Sequence, residues 1–281
     1  ILSKKKDIGL KTNTDIQIVA ISAKNINKKR NFKVNRKIFF KNPLEISKNP
    51  KVNIVVELIG KSDGISKSVV ENALKNKKHV ITANKALISK HGDYLTSIAE
   101  KNRVNLEFEA SVGGGIPVLR TIKEGLATNK ITKVYGILNG TCNYILTEMR
   151  QQRKTFDEVL QEAQNLGYAE AEPSMDVDGI DAGQKLSLLA SLAFGCRINF
   201  SGVYTEGIRR ISLIDIDYAE ELGYRIKLLG SARLTENGLE QRVYPCMVDQ
   251  GFPIANVEGA YNAVVAIGDS VGDTVFQGLG A

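Results

Sequence analysis

Soft metal ligands and disulfide partners are scarce in this chain, with three cysteines and two histidines in 281 residues. Cys142, Cys196 and Cys246 are odd in number, widely spaced and without a Cys-x-x-Cys pair, and His79 and His91 lie far from all of them. Neither a disulfide framework nor a zinc centre finds support in that pattern. Long apolar runs are missing too, since none reaches the roughly 18 residues of a membrane span. The opening ILSKKKDIGLKTNTD has no hydrophobic region of the secretory kind. The expectation is a cytoplasmic protein with no membrane partner.

Acidic residues are almost absent from the first 41 positions, which hold twelve Lys or Arg against two Asp. That local excess is larger than the +7 of the whole chain, so the remainder is mildly acidic. A basic end of this kind can mark nucleic-acid binding, but it has no interleaved aromatic platform and no recognisable binding module. It reads as a solvated lysine-rich surface, with no nucleic-acid partner expected.

What is present is an ordinary globular composition, 43% hydrophobic and 25% charged, at a length that suits two domains. IQIVAIS (16–22), VNIVVELIG (52–60), HVITAN (79–84) and NLEFEA (105–110) are short apolar runs of the kind that form buried parallel strands. KSVVENALKNK and DYLTSIAEKN between them read as amphipathic helices, and the alternation predicts an α/β, doubly wound parallel sheet. Such a fold opens with a strand and a Gly-rich turn for the cofactor pyrophosphate, yet no GxGxxG stands near this N-terminus. The first strand ends in Ser22, where a second Rossmann strand would end, and Ile1 to Leu10 reads as the tail of a first helix. The Rossmann-type domain is therefore expected to be incomplete. Residues 197–267 predict a helix around Tyr218 to Leu229, a turn at Glu236-Asn237-Gly238, and strands near Gln241 to Val248 and Ala260 to Ile267.

The richest stretch is GYAEAEPSMDVDGIDAGQKLSLLASLAFG (167–195). At about 100° per residue, Leu186, Leu188, Leu189, Leu192 and Ala193 fall on one arc of a helix, with Gln184, Ser187 and Ser191 opposite. Asp181 and Lys185, one turn apart, sit inside the apolar arc and so point inward. An i,i+4 ion pair is the plain reading of that spacing. A lysine facing a partly desolvated pocket also suits general acid or base work. Glu170, Glu172, Asp176 and Asp178 add carboxylates that suit a cationic amine.

GYAEAEPSMDVDGIDAGQK resembles the signature of homoserine dehydrogenases, with its Gly-aromatic-x-Glu, Pro-x-x-Asp, Gly-x-Asp and x-x-x-Lys elements. Glu172 departs from the Asp, Asn or Ser usual before the proline. The resemblance runs from about Ile16 to Ala281, and the GDSVGDTVFQGLGA end stops inside what resembles the family's closing glycine-rich motif. Both termini are expected to be cut. The resemblance implies a nucleotide-binding domain at 1–111, without its first strand and Gly-rich loop, and an α+β catalytic and dimerisation domain with a mixed sheet at 112–281.

It further implies NAD(P)-dependent interconversion of L-homoserine and L-aspartate 4-semialdehyde, in threonine and methionine biosynthesis. Lys185 would be catalytic, Glu170 and Asp181 would hold substrate, and Lys85 and Gly167 would approach the cofactor. In the family a sodium ion sits at the loop matching EASVGGGIPV, which implicates Glu109, Val112, Gly114 and Ile116; a homodimer is also implied. Ser22-Ala23-Lys24-Asn25 has a lysine, Lys24, and no carboxylate where an acidic residue would bind the ribose of NAD, with Lys28, Lys29 and Arg30 close behind. That leans toward NADP over NAD. NGTCNY (139–144) reads as a tight turn or a substrate contact. Two alternatives stay open: a related amino-acid-pathway reductase such as an aspartate-semialdehyde dehydrogenase, with Cys142 as the nucleophile, and an inactive dimerising fragment.

Overall fold

The structure is a computed structural model, and it describes residues 2–28 and 35–280. The expectations placed on Ile1, Lys29, Arg30 and Ala281 lie outside those residues.

The N-terminal unit begins with helix α1 (Lys5–Thr12). A parallel strand pair follows, β1 (Ile21–Ser22) and β2 (Phe39–Phe40), then the short helix α2 (Pro43–Lys48). Next come β3 (Ile54–Glu57), α3 (Ile65–Lys75), β4 (His79–Thr82), α4 (Lys85–Asn102) and β5 (Leu106–Glu107). Strands β3, β4 and β5 form a parallel sheet in that order. The expected strand at 16–22 makes ladder bonds only at its last two residues.

The parallel strands form as expected, β3 and β4 each with one buried side. In β3 and β4 every second residue is exposed: Val55 and Val80 are buried on the side where α3 packs, while Ile54, Val56 and Ile81 are 53%, 48% and 42% exposed. An unbroken β-branched run signals a strand, but it does not say how many of its faces are covered.

The C-terminal unit opens with a short helix, α5 (Val118–Arg120), continuing into a wider turn at Thr121–Gly125. Strand β6 (Ile131–Ile137) leads to helices α6 (Gly140–Gln152), α7 (Phe156–Leu166), α8 (Ser174–Val177) and α9 (Ile180–Phe194). Then follow β7 (Tyr204–Thr205), α10 (Leu213–Glu221), β8 (Tyr224–Thr235), β9 (Gly238–Asp249), β10 (Tyr261–Gly268) and β11 (Gly272–Leu279). The sheet order is β11-β10-β6-β8-β9-β7, antiparallel throughout except for the parallel β7-β9 pair, which makes it the expected mixed sheet.

Two local readings change here. The helix expected over Tyr218 to Leu229 stops at Glu221. Gly223, at φ +82°, turns the chain out of it, and the apolar run that follows pairs as β8 between β6 and β9. Strand β11 was not anticipated, because its alternation of half-buried and exposed positions is interrupted by glycines.

Helix α9 is enclosed on nearly all sides by α4, α8, β6, β8 and β9. Ser187, expected on a solvent face, is buried and donates to the carbonyl of Gln184 one turn earlier. Gly183 makes this packing possible, since a Cβ there would lie 2.9 Å from Thr205 Cγ2 and 3.1 Å from Phe200 Cε2. One apolar core runs through both units, from Val55, Leu74 and Leu87 to Leu146 and Leu189.

Candidate functional site

The site forms where α9 meets the ends of β4 and β6. Asn84 is the N-cap of α4, its side chain accepting from the Leu87 amide, so Lys85 becomes the first residue of that helix at the carboxyl end of a parallel strand. Open α/β sheets bind their ligands at that end. Asn139 does the same for α6, accepting from the Cys142 amide at 2.8 Å just past β6. Gly179, at φ +80°, starts α9 and sets Asp181 and Lys185 one turn apart at its beginning.

Asp181 is the anchor. Lys185 Nζ lies 2.7 Å from its Oδ2, as the i,i+4 spacing predicts, and Lys85 Nζ lies 2.9 Å from its Oδ1, reaching across from the N-terminal unit. Asn139 Nδ2 donates to Asp181 Oδ2 at 2.8 Å and to Asp176 Oδ1 at 2.7 Å. Lys185 also donates to the Leu138 carbonyl at 2.8 Å. An ammonium has three donors, so one N–H of Lys185 stays uncommitted among the described residues.

The two carboxyls are driven apart. Burial pushes Asp181 up, but the ammonium groups of Lys185 and Lys85, with the hydrogen bonds from Lys185 and Asn139, outweigh it and hold the carboxyl below its ordinary value. Asp176 goes the other way: burial raises it, the Asn139 hydrogen bond only partly offsets that, and the Asp181 charge adds to the rise. The site therefore has a firmly anionic anchor beside a carboxyl that takes up a proton more readily.

Glu170 is exposed, and only its carbonyl is engaged, by Gln164 Nε2 at 3.0 Å; no direct contact joins it to Asp181 among the described residues. Glu172 accepts from the amide and hydroxyl of Ser174 at the start of α8, and Asp178 pairs with Arg209. Gly167 ends α7 at φ +79° with open space where a Cβ would stand. Lys24 is exposed just after β1. Cys142 is fully buried, and burial, with Asp176 and Asp181 nearby, pushes its thiol well above the ordinary value. That environment opposes a thiolate nucleophile.

Asn139 and Asp176 were the residues undervalued by sequence reading. Asn-Gly is a common turn pair, and only the N-cap spacing to Cys142 hinted that the amide would be fixed. The Lys85 contact had no local signal, because 96 residues separate it from Asp181.

The loop at 109–116 presents oxygen atoms of the kind a hard cation prefers. Glu109 uses both oxygens to accept the Leu119 and Arg120 amides, at 2.9 and 2.7 Å, and the Ile116 carbonyl accepts from Val118 at 2.8 Å. The carbonyls of Val112 and Gly114 accept no hydrogen bond among the described residues, and Gly113 and Gly114 both have positive φ. Oxygen donors that suit sodium are thus present. For a nucleotide, Gly60 and Gly64 both have positive φ, and no atom stands within 4 Å of where a Cβ would be. The chain after β3 offers bare backbone at the carboxyl edge of the sheet, which fits a dinucleotide.

Comparison with known proteins gives a consistent answer. The profile of the family described as homoserine dehydrogenase matches residues 117–281, and that of the homoserine dehydrogenase NAD binding domain matches residues 3–109. Homoserine dehydrogenases of Neisseria gonorrhoeae and Pseudomonas aeruginosa are 49% and 51% identical over 86% and 84% of this chain. The chain spans about half the length of these relatives, 56% and 54%. A crystal structure of a homoserine dehydrogenase from Thiobacillus denitrificans superposes with a TM-score of 0.94 at 44% identity, over all of this chain and 64% of that one. A hyperthermophilic archaeal homoserine dehydrogenase in complex with NADPH gives 0.75 at 25% identity, over all of this chain and 77% of that one.

Proposed function

The chain belongs to the homoserine dehydrogenase family, and from that premise we propose that the protein carrying it interconverts L-homoserine and L-aspartate 4-semialdehyde, a step toward threonine and methionine. The observation that carries this reading is the buried Asp181 carboxylate held by two ammonium groups, one from each unit. When bound, a nicotinamide cofactor supplies the hydride chemistry.

The residues of the chain do the rest. Lys185, fixed by Asp181 and the Leu138 carbonyl, gives its remaining N–H to the substrate oxygen and moves the proton there. Asp181 and Glu170 hold the polar groups of the substrate. Lys85, at the carboxyl end of β4, would approach the cofactor, and Gly167 would give the cofactor close access to backbone. Lys24, with no acid beside it, favours NADP over NAD.

A sodium ion at Glu109, Val112, Gly114 and Ile116 steadies the loop between the units, which divide at residues 1–111 and 112–281. The active form is a homodimer, located in the cytoplasm. Its interface is the sheet face turned away from α6 and α9, where Tyr135, Val265 and Val275 align across three strands and Val275 is 48% exposed.

The test is steady-state kinetics on protein of the full length of its relatives. Wild type is expected to reduce NADP in the presence of L-homoserine, and Lys185→Ala to lose about 10² to 10⁴ in kcat with a smaller change in cofactor affinity. No homoserine-dependent reduction by wild type would overturn the reading. Near-normal kcat in Lys185→Ala would overturn the role of that residue.

A further inference from the structure

Glu57, the last residue of β3, is only 1% exposed, yet it makes no ion pair among the described residues. It is engaged instead by four neutral donors. Its Oε1 accepts from the amides of Ile59 at 2.7 Å and Gly60 at 3.2 Å and from Ser66 Oγ at 2.8 Å, and its Oε2 accepts from Thr82 Oγ1 at 2.6 Å.

Both hydroxyls donate and accept at once. Thr82 Oγ1 accepts from the Asn84 amide at 3.0 Å, and Ser66 Oγ accepts from Asn84 Nδ2 at 2.9 Å. Each hydroxyl donates its own proton to a hydrogen bond with Glu57, so both carboxyl oxygens are engaged as acceptors. Asn84 Nδ2 also donates to the Lys61 carbonyl at 2.8 Å, and its Oδ1 caps α4. The ring Glu57, Thr82, Asn84 and Ser66 thus ties the glycine loop after β3 to the start of the helix whose first residue is Lys85. Helices α3 and α4 have no acidic residue in their own first turns. Glu57 reaches the first turn of α3 through the Ser66 hydroxyl.

We infer that Glu57 is a positioning residue for the reaction, setting Lys85 against Asp181 through Thr82 and Asn84 and fixing the 58–61 loop toward the cofactor. This rests on the reaction proposed above. A glutamine at 57 would keep the acceptor for Ile59, Gly60 and Ser66 but turn an NH₂ group toward the Thr82 hydroxyl. The Thr82 hydroxyl proton would lose its acceptor and have to turn away, and the Thr82 and Asn84 arm would shift. Displacements of about 1 Å can cost up to about 10²-fold in rate.

The experiment uses the full-length protein with Glu57→Gln, Thr82→Val and Thr82→Ser. Three readouts are kinetics against L-homoserine, NADPH affinity by fluorescence, and the ¹³C shift of dimethylated Lys85, assigned with Lys85→Arg. Glu57→Gln and Thr82→Val are expected to lower kcat about 10- to 100-fold and to move the Lys85 signal. Thr82→Ser, which keeps the hydroxyl, should restore both. Should Glu57→Gln fail to fold, the Thr82 pair tests the same arm.

Wild-type turnover in Glu57→Gln and Thr82→Val, with an unmoved Lys85 signal, would overturn the inference. So would a loss in Thr82→Val that Thr82→Ser does not restore. If wild type itself shows no homoserine-dependent reduction, the reaction is wrong. The Lys85 signal then still decides whether Glu57 positions that side chain.

Discussion

Lys227 shows how one residue can hold a charge the fold would rather exclude. It is 3% exposed on β8, with Nζ bound to the Val257 carbonyl at 2.6 Å and Asn143 Oδ1 at 3.1 Å. Burial pulls its ammonium down to about 8; Glu258 opposes the fall, while Arg150 and Arg225 add to it. The unfolded chain therefore binds more protons than the folded one between about 8 and the ordinary 10.5. Stability should rise with pH across that window, and the burial penalty should be fully present below it. The full difference amounts to about 3 kcal/mol. Urea unfolding at pH 7 and pH 10 on wild type and Lys227→Met checks this. The gain with pH attributable to Lys227 should vanish in the variant, and equal gains in both would remove the assignment.

At the scale of elements, the site depends on backbones that approach closely. Gly207 lies against the end of α8, where an added Cβ would meet the Val177 carbonyl oxygen at 2.0 Å and Asp178 Cα at 2.5 Å. Backbone atoms cannot yield as a side-chain tip can, and the Ile208 amide is already bonded to that same carbonyl at 2.8 Å. Gly207→Ala is expected to cost about 1–3 kcal/mol and to displace Asp176. Thermal melts should show a clear loss, and a melting temperature within a degree of wild type would refute it. The helix that carries Asp181 and Lys185 was legible in sequence because its period and i,i+4 pair are local properties. The parallel strands and the mixed sheet were legible in the same way, from apolar runs bounded by turns. The Gly207 contact, the Lys85 bridge and the β8 strand in place of a helix were not. Each depends on partners far along the chain, which local propensity does not record.

For the whole molecule, the proposed pairing of two copies through the sheet face that carries Val275 predicts that Val275→Asp yields monomers. Each copy would then bring an unpaired carboxylate into the proposed interface. Sedimentation velocity should show about half the wild-type mass, and an unchanged dimer would move the interface elsewhere. The union of the two units has a different character. Asp181 keeps Lys185 from its own helix, so parting the units leaves it no unpaired charge. Only Lys85, already 34% exposed, is handed to water. The bridge thus acts as a clasp rather than a rivet: it opens without stranding a charge on the deep side, and its exposed half slackens as ionic strength rises. Breathing between the units should quicken in salt even where the melting temperature does not move.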